Sequence, residues 1–467
     1  MTTPDTPEAY IDLLAGLTET LSETKGRPLT YHVTTFGCQM NAHDSEKLEG
    51  ILKASGFVCE PDEDKADFVI YNTCTIRENA DLRVYGRLGH LNGIKTKRPD
   101  LKIALCGCMM QEPHVVDKIR RSYPFVDLVF GTHNLYDFPR LLYLMYSGDK
   151  RIIEIIEKSD LDAEHLPSTR HFAFKSGVNI MFGCNNFCTY CIVPYVRGRE
   201  RSRRPDEILN EVRCLIGEGV KEIMLLGQNV NSYGKTLPED ERISFSELLR
   251  HTAEIEGLER LRFMTSNPHD FTDDIIEVMA SSPKICHHIH LPVQSGSTSL
   301  LKKMNRHYSR ELYLELVDKI RAAIPDISLT TDIIVGFPGE TDADFEDTLT
   351  VVDHCGFDSV FTFEYSKRTG TPAARMENQV PEAVVKERFA RLLEAVRING
   401  RKACARFEGQ TLPVLVEEKN REEGLLTGRT EHNLLVHFPG DPSLIGRIIP
   451  VKLDSCQGFY YLGHAVE

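Results

Sequence analysis

Residues Cys184-Asn185-Asn186-Phe187-Cys188-Thr189-Tyr190-Cys191 place three cysteines at positions i, i+4 and i+7. Three thiolates at this spacing can hold one iron-sulfur cluster. A four-iron cluster normally takes four cysteine thiolates, so a compact trio leaves one iron for a ligand that is not protein. The stretch therefore predicts the cofactor loop of a redox catalyst, with a coordination position left open.

Other uses of three cysteines fit this spacing less well. A zinc site needs two spaced pairs, or one pair followed by histidines at finger spacing, and neither follows Cys191. Ferredoxin motifs have different spacings and a fourth cysteine. A disulfide framework is typical of secreted chains. The alternative that stays open is a set of buried structural cysteines.

Composition sets the broad class. The 467 residues suit about three domains at ~150 residues each. The composition is that of a globular protein, with an apolar fraction of 41% and a charged fraction of 27%. The sequence has no long apolar run and no signal-like N-terminus, so we expect a soluble cytoplasmic protein. Thirteen cysteines, an odd number, favour metal chemistry in a reducing compartment. A net charge of −14 restricts RNA contact to a local patch.

The first part of the chain reads as an α/β domain with a parallel sheet. Residues 1–28 form an acidic tail that has a short amphipathic helix and no catalytic role. In residues 29–146, short apolar strands alternate with helical stretches, and the predicted strands are 31–36, 68–71, 101–105 and 128–130. A charged linker covers residues 147–170.

Three cysteines follow three of those strands. Cys38, Cys74 and Cys108 lie 36 and 34 residues apart, about one strand-helix-strand step each. Because parallel strands end along one edge of a sheet, the three thiolates should converge and hold a second cluster. Glycines directly before two of them, Gly37 and Gly107, suit sharp turns. The alternative is three unrelated core cysteines.

The other cysteines are interpreted as ordinary residues. Cys106 lies inside its strand as packing. The remaining six stand singly in the sequence: Cys59, Cys214, Cys286, Cys355, Cys404 and Cys456.

Residues 171–405 predict a partial barrel of six strands and six helices. Its strands are 177–181, 222–226, 261–264, 288–291, 328–335 and 359–365, and a helix at 382–405 closes it. Barrel chemistry sits at the C-terminal strand ends, and the cysteine loop follows the first strand. Residues 406–467 hold five short strands, which predict a small OB-like β-barrel.

Five arginines in eight positions follow the cysteine loop. Arginine binds phosphate through its planar fork, so Arg197, Arg199, Arg201 and Arg203 are candidate phosphate contacts, and the family resemblance of this stretch, given below, implies that they bind RNA. Alternatively, Arg197 or Arg199 holds barrel carboxylates, and a charge run is often only a solvated face.

The cysteine loop, with Tyr190 before the last cysteine, resembles the signature of radical S-adenosylmethionine (SAM) enzymes. The resemblance implies that SAM chelates the open iron of a [4Fe-4S] cluster and is split by one electron to a 5′-deoxyadenosyl radical. It also implies cofactor contacts at the strand ends, for which the candidates are Tyr190, Gln228, Asn229, Gln294 and Asp332.

A narrower resemblance covers nearly the whole chain. The sequences at 35–41 (TFGCQMN), 72–80 (NTCTIRENA) and 106–111 (CGCMMQ) are similar to the N-terminal motifs of methylthiotransferases, most closely those of the MiaB type. Residues 194–204 (PYVRGRERSRR) match a motif of the same family, and the last 62 residues resemble its TRAM RNA-binding domain. Met110 departs from the small residue expected there.

The resemblance implies the reaction and its partners. Cys38, Cys74 and Cys108 would hold an auxiliary [4Fe-4S] cluster that supplies sulfur. Two SAM molecules are used per turnover: one methylates the sulfur, and the radical from the other abstracts hydrogen from carbon 2 of N6-isopentenyladenosine, or adds through it. Partners would be the tRNA anticodon stem-loop, an electron donor such as flavodoxin or ferredoxin, and a sulfur or cluster donor.

Three alternatives remain. One is the related enzyme that methylthiolates an aspartate of a ribosomal protein, and another is the sister enzyme acting on threonylcarbamoyl-adenosine. The tripeptide Gln39-Met40-Asn41 and the stretch 75–78 speak against both. The third is a non-enzymatic RNA-binding protein with structural metal sites.

Overall fold

A computed structural model describes residues 6–75, 78–148, 150–159, 161 and 163–466. The chain divides into two compact units. The first consists of Met1–His171 and Ile192–Arg199, and the second of Phe172–Cys191 and Glu200–Glu467. A short piece that follows the cysteine loop in sequence therefore belongs to the first unit.

The first unit is built on a six-stranded sheet in which every neighbouring pair is parallel, as predicted. Its strands are β1 (Thr30–Thr35), β2 (Val58–Cys59), β3 (Phe68–Thr73), β4 (Lys102–Gly107), β5 (Leu128–Phe130) and β6 (Ile152–Glu154). Their order is β2-β1-β3-β4-β5-β6. The chain therefore changes winding direction between β1 and β3, and open α/β sheets bind ligands at the carboxyl ends of the strands at such a point.

Helices cover both faces of this sheet. The first unit contains α1 (Pro7–Lys25), α2 (Gln39–Ala54), α3 (Glu78–Lys97), α4 (Pro113–Ser122), α5 (Phe138–Gly148) and α6 (Val193–Val196). All six residues of β3 are buried. Phe68 and Ile70 pack in one core with α1, α2 and α5, while Val69 and Tyr71 pack in another with α3 and α4. The period of two along a strand explains this division.

The expected N-terminal tail is instead a packed helix. α1 runs for 19 residues and buries Tyr10 and Leu14, and the Tyr10 ring lies 5.9 Å from that of Tyr143 in α5. Beyond the helix, Arg27 forms a two-pronged ion pair with Asp67. The sequence predicted a short amphipathic helix in this segment, but its packing depends on residues of α5 and on Asp67 that are distant in sequence.

The predicted linker also belongs to the first unit. Strand β6 extends the sheet within it, and Ala163 and Leu166 are buried. Its charged residue Glu164 is paired: His43 Nε2 lies 3.0 Å from the Glu164 carboxylate, and Lys47 donates to the Glu164 carbonyl at 2.7 Å. The charged composition predicted a linker, but the charged residue Glu164 has two buried partners on α2, His43 and Lys47.

The His43–Glu164 pair makes the stability of the first unit depend on pH. Burial by itself lowers the pKa of His43, but the Glu164 carboxylate outweighs it and raises the pKa to about 10. An unfolded histidine has a pKa of ~6.5. The stabilisation is therefore fully present below about pH 6.5 and is lost as the pH rises toward 10.

We expect His43→Gln to lower the melting temperature most at pH 6 and progressively less up to pH 10, as followed by circular dichroism. His90→Gln is the matched control, because His90 pairs with Asp64 at an exposed site where an ion pair contributes little. A melting-temperature difference for His43→Gln that does not change with pH would contradict the assignment.

The second unit contains the predicted six-stranded partial barrel. Its parallel strands are β7 (Lys175–Asn179), β10 (Glu222–Leu226), β11 (Arg260–Phe263), β12 (His288–His290), β13 (Ser328–Val335) and β14 (Ser359–Glu364). They pair as β7-β10-β11 and β12-β13-β14, joined by one parallel bridge from Leu261 to Ile285. Two short strands, β8 (Met181–Phe182) and β9 (Arg201–Ser202), pair with each other.

Helices alternate with the barrel strands. They are α7 (Pro205–Gly217), α8 (Phe245–Ala253), α9 (Asp273–Ser281), α10 (Thr298–Lys303), α11 (Arg310–Ala323), α12 (Asp342–Cys355) and α13 (Glu382–Ala405). The last coincides with the predicted closing helix. One continuous apolar core joins the strands to these helices.

The end of the chain forms the predicted small barrel, which is closed. Its strands follow the order β15-β16-β17-β19-β18. They are β15 (Thr411–Lys419), β16 (Leu425–Thr430), β17 (Leu435–Pro439), β18 (Ile448–Cys456) and β19 (Tyr461–Ala465). Buried Arg260 and Arg262, on β11, donate to the small-barrel carbonyls of Pro413, Arg429, Thr430 and Glu431 at 2.7–2.9 Å.

Two cysteines interpreted as single residues are paired. Cys404, at the end of α13, and Cys456, at the end of β18, form a disulfide with their Cα atoms 6.1 Å apart. They are 52 residues apart in sequence, so no local pattern indicated the pairing. Among the described residues, no helix combines the length and the apolar character that crossing a membrane requires.

Candidate iron-sulfur sites

The first unit brings Cys38, Cys74 and Cys108 to one edge of its sheet. Cys38 precedes α2, shortly after β1, Cys74 directly follows β3, and Cys108 directly follows β4. These three strands are neighbours in the sheet, and β1 and β3 flank the change in winding direction. The cysteines thus lie where the topology places a ligand.

Two glycines let the chain turn closely at this edge. Gly37 and Gly107 have φ angles of +109° and +93°. A Cβ on Gly37 would lie 2.6 Å from the Cys74 sulfur, and one on Gly107 would lie 2.3 Å from the Thr73 carbonyl oxygen. A side chain on Gly37 would collide with Cys74, and one on Gly107 with the backbone of Thr73 just before Cys74. The two positive φ angles agree with the sharp turns that these glycines predicted.

Buried amide side chains fix the loops that carry these cysteines. Asn41 Nδ2 donates to the carbonyls of Phe36 at 2.8 Å and Thr73 at 3.0 Å. Asn72 Nδ2 donates to the Asn41 carbonyl at 2.8 Å and to Ser45 Oγ at 3.0 Å. The loops after β1 and β3 are therefore tied together directly beneath the cysteines.

Arg197 belongs to this site and is not an exposed RNA contact. It is only 9% exposed. Its Nε donates to Cys108 Sγ at 3.1 Å, and one terminal nitrogen donates to Asn41 Oδ1 at 2.6 Å and Asp44 Oδ2 at 2.8 Å. A guanidinium with these buried partners is not available to a phosphate, so the RNA-contact prediction for Arg197 is wrong.

The donor set fits an iron-sulfur cluster with an open position. Burial raises the pKa of the Cys108 thiol to about 12, against the opposing charge of Arg197. Such a thiol keeps its proton in neutral water, and coordination to a metal is what removes it. Cys106 is no competitor, because it packs into the core with Phe68 and Phe130.

Gly107→Ala should disrupt this site selectively. The new Cβ clashes with backbone, and the left-handed φ adds a cost of about 1–3 kcal/mol. We expect anaerobically reconstituted Gly107→Ala to lose about half of its iron, which is the share of one of two clusters.

Gly89→Ala is the matched control. A Cβ on Gly89, within α3, meets nothing within 4 Å, so alanine should keep all the iron and stabilise the helix by about 0.5–1 kcal/mol. Full iron content in Gly107→Ala would show that the close approach is not needed.

The second unit carries the Cys184–Cys191 loop directly after β8. The short β8–β9 pairing holds its base. Asn305 Nδ2 donates to the Asn186 and Phe187 carbonyls at 2.9 and 3.2 Å, and the Thr189 amide donates to the Met304 carbonyl at 3.0 Å. The turn after α10 thereby fixes the shape of the cysteine loop.

Arg306 is a site residue that the sequence interpretation missed. Its guanidinium donates to Cys188 Sγ at 3.5 Å and to the Pro292 carbonyl at 2.9 Å. Burial raises the pKa of the Cys184 thiol to about 11. Tyr190 packs against the apolar cluster of Leu300, Met304, Phe337 and Ala373.

Two of the predicted cofactor residues follow the same barrel strand, and the side chain of one of them is used within the protein. Gln228 and Asn229 follow β10, but the Asn229 amide is used internally: Nδ2 donates to Asp270 at 2.7 Å, and Oδ1 accepts from the Asn267 amide at 3.2 Å. Asn229 therefore braces the next loop.

Two further predicted cofactor residues mark the other half of the barrel mouth. Gln294 follows β12 in a left-handed conformation, with a φ of +68° that is uncommon outside glycine. Asp332, on β13, is partly exposed and lies 3.5 Å from His290 Nε2. Backbone strain of this kind collects at functional sites.

The rest of the arginine run is divided. Arg203 is 7% exposed and donates to the Asn179 carbonyl at 2.6 Å and to Glu211 at 2.8 Å, so its RNA-contact prediction is also wrong. Arg199 is exposed, and the guanidinium of Arg201 lies 4.9 Å from the centre of the Phe182 ring.

Comparisons with known proteins assign the family. Residues 178–352 match the Radical SAM superfamily, residues 30–131 match the Uncharacterized protein family UPF0004, and residues 405–466 match the TRAM domain. The chain is 60% identical over 448 residues to a tRNA-2-methylthio-N(6)-dimethylallyladenosine synthase of Lachnoclostridium phytofermentans, covering 96% of this chain and 98% of that one. The chain belongs to this synthase family.

A second synthase, from Clostridioides difficile, is 50% identical over 462 residues, which cover 98% of this chain and 96% of that relative. Among solved structures, the radical SAM methyltransferase TsrM from Kitasatospora setae, with cobalamin and a [4Fe-4S] cluster bound, superposes with a TM-score of 0.53. That match covers 74% of each chain at 14% identity, so it shows a shared fold alone.

Proposed function

We propose that this chain is a tRNA-2-methylthio-N(6)-dimethylallyladenosine synthase, which adds a methylthio group to carbon 2 of N6-isopentenyladenosine, also called N(6)-dimethylallyladenosine, next to the anticodon. The observation that carries the proposal is the pair of three-cysteine sites, one in each compact unit, in a chain 60% identical to such a synthase. The alternative is a non-enzymatic RNA-binding protein whose metal sites are structural. Such a protein would have no use for a cluster iron left without a cysteine ligand.

The six cysteines divide into two functional sets. Cys184, Cys188 and Cys191 would hold the [4Fe-4S] cluster that binds SAM, and Cys38, Cys74 and Cys108 the auxiliary [4Fe-4S] cluster that carries the sulfur. When bound, these groups supply a carbon radical for an aromatic C–H bond that no acid or base side chain can attack near neutral pH. The three-thiolate sets leave the open positions that this chemistry needs.

Residues of the barrel mouth would bind and orient SAM. Gln228 and Gln294 follow the C-terminal ends of β10 and β12, where barrel enzymes bind their ligands, and Asp332 lies within β13. Asn229 contributes indirectly by holding the loop that contains Asn267 and Asp270. Tyr190, fixed by apolar packing, would shield the cluster from water.

RNA recognition would use the remaining surface arginines and the small barrel. Of the four arginines predicted to contact RNA, Arg199 and Arg201 are not buried. In the small barrel, Phe459 is 92% exposed, whereas His432 is buried against Phe407. A splayed loop base can enter a barrel mouth without opening a duplex, which suits an anticodon-loop substrate.

Partners and domain limits complete the proposal. The clusters require an electron donor such as flavodoxin or ferredoxin, together with a sulfur or cluster donor, and a tRNA substrate places the protein in the cytoplasm. The functional domains would be residues 29–146, 171–405 and 406–467. The first contains the UPF0004 match and the second the Radical SAM match, and the TRAM match begins one residue before the third.

Reconstitution with SAM, dithionite and tRNA lacking the methylthio group tests the proposal. We expect both 5′-deoxyadenosine and methylthiolated nucleoside by mass spectrometry. Cys38→Ala should keep formation of 5′-deoxyadenosine and lose the methylthio product, because the two cysteine sets have separate tasks. Cys188→Ala should lose both products.

Cys214→Ala is the matched control, since Cys214 is an exposed cysteine outside both sites. It should leave both products unchanged. A wild-type chain that holds both clusters and forms no 5′-deoxyadenosine would refute the enzymatic function.

A further inference from the structure

Arg197 is a charged side chain that donates directly to a sulfur of the first site. Its three hydrogen bonds end on Cys108 Sγ, Asn41 Oδ1 and Asp44 Oδ2. All three partners follow β1 or β4, at the sheet edge where the cysteines meet. The guanidinium therefore belongs to the cysteine site by position as well as by contact.

The geometry suits a sulfur that carries negative charge. A protonated thiol is a weak acceptor, whereas charge-assisted hydrogen bonds between a cation and an anion are short and strong. Nε approaches Cys108 Sγ at 3.1 Å, although a carboxylate is available to the same guanidinium. Arginine keeps its charge at every pH of interest. A cluster thiolate is the anion that this arrangement fits.

We propose that Arg197 is a positioning residue that raises the reduction potential of the cluster held by Cys38, Cys74 and Cys108. The inference rests on the proposed function, because it takes these cysteines as cluster ligands. A reduced cluster carries one more negative charge, and a fixed positive charge at its ligand stabilises that state. Hydrogen bonds to cluster sulfurs act in the same direction.

Asp44 opposes this effect. Its carboxylate lies 2.8 Å from the Arg197 guanidinium and is mostly shielded from solvent, with 16% of its side chain exposed. A negative charge there partly cancels the charge of Arg197 at the cluster. Removing Asp44 should therefore shift the potential in the direction opposite to that for removing Arg197.

A purely structural role is the competing explanation. Arg197 directly follows the short helix α6. Ile192, just before this helix, and Val196, its last residue, pack with Cys108, and Thr132 Oγ1 donates to the Val196 carbonyl at 2.8 Å. Arg197 would then only hold this segment in place. A purely structural role predicts that Arg197 variants lose the cluster. It does not predict that replacing Arg197 and replacing Asp44 shift the reduction potential in opposite directions.

The test uses the full-length chain with Cys184→Ala, Cys188→Ala and Cys191→Ala, so that one cluster remains. A potentiometric titration followed by electron paramagnetic resonance gives its midpoint. We expect Arg197→Gln to lower the ratio of reduced to oxidised cluster about tenfold at the parent midpoint, a shift of 59 mV to more negative potential for one electron. Asp44→Asn should shift the midpoint to more positive potential.

Arg204→Gln is the matched control, because Arg204 lies in the same run but is exposed and pairs with Glu241. It should leave the midpoint unchanged. Equal midpoints in the parent, Arg197→Gln and Asp44→Asn chains, or shifts of the same sign in both variants, would overturn the proposal. If Arg197→Gln retains too little cluster to titrate, the sign of the Asp44→Asn shift decides. A parent chain that binds no iron would instead refute the cluster assignment itself.

Discussion

The structure of the first unit depends on one geometric constraint: three cysteines that are far apart in sequence must meet at one point. Neighbouring parallel strands achieve this, because each strand-helix-strand step returns the chain to the same sheet edge. Cys38, Cys74 and Cys108 need only to follow successive central strands. The turns must then be tight, which explains Gly37 and Gly107, and the buried amides of Asn41 and Asn72 fix the loops.

The second unit solves the same problem locally. Its three cysteines lie within eight residues, so the loop itself sets their spacing and the barrel needs only to hold the loop. Asn305 and the turn after α10 do this through carbonyl and amide contacts. In each trio an arginine also donates to one sulfur: the buried Arg197 at 3.1 Å and the partly buried Arg306 at 3.5 Å. Both candidate cluster sites thus have a cation directed at a cysteine sulfur.

Most of the fold was predictable from the sequence, because the period of the apolar residues and the glycines before cysteines are local signals. The parallel sheet, the six barrel strands, the closing helix and the small barrel followed from them. What failed depended on partners distant in sequence. Arg197 and Arg203 belong to what looked like an exposed basic run, yet both are buried and form ion pairs with Asp44 and Glu211. Glu164 looked like linker charge until His43 and Lys47 were placed beside it, and Cys404 gave no sign of Cys456.

The central claim is that the chain holds two independent three-cysteine clusters. The most direct test measures iron and labile sulfide per chain after anaerobic reconstitution, in wild type and in two triple variants. One variant replaces Cys184, Cys188 and Cys191 with alanine, and the other replaces Cys38, Cys74 and Cys108. We predict that each keeps about half of the wild-type iron. If the first variant keeps none, the cysteines of the first unit are packing residues, and the two-cluster account is contradicted.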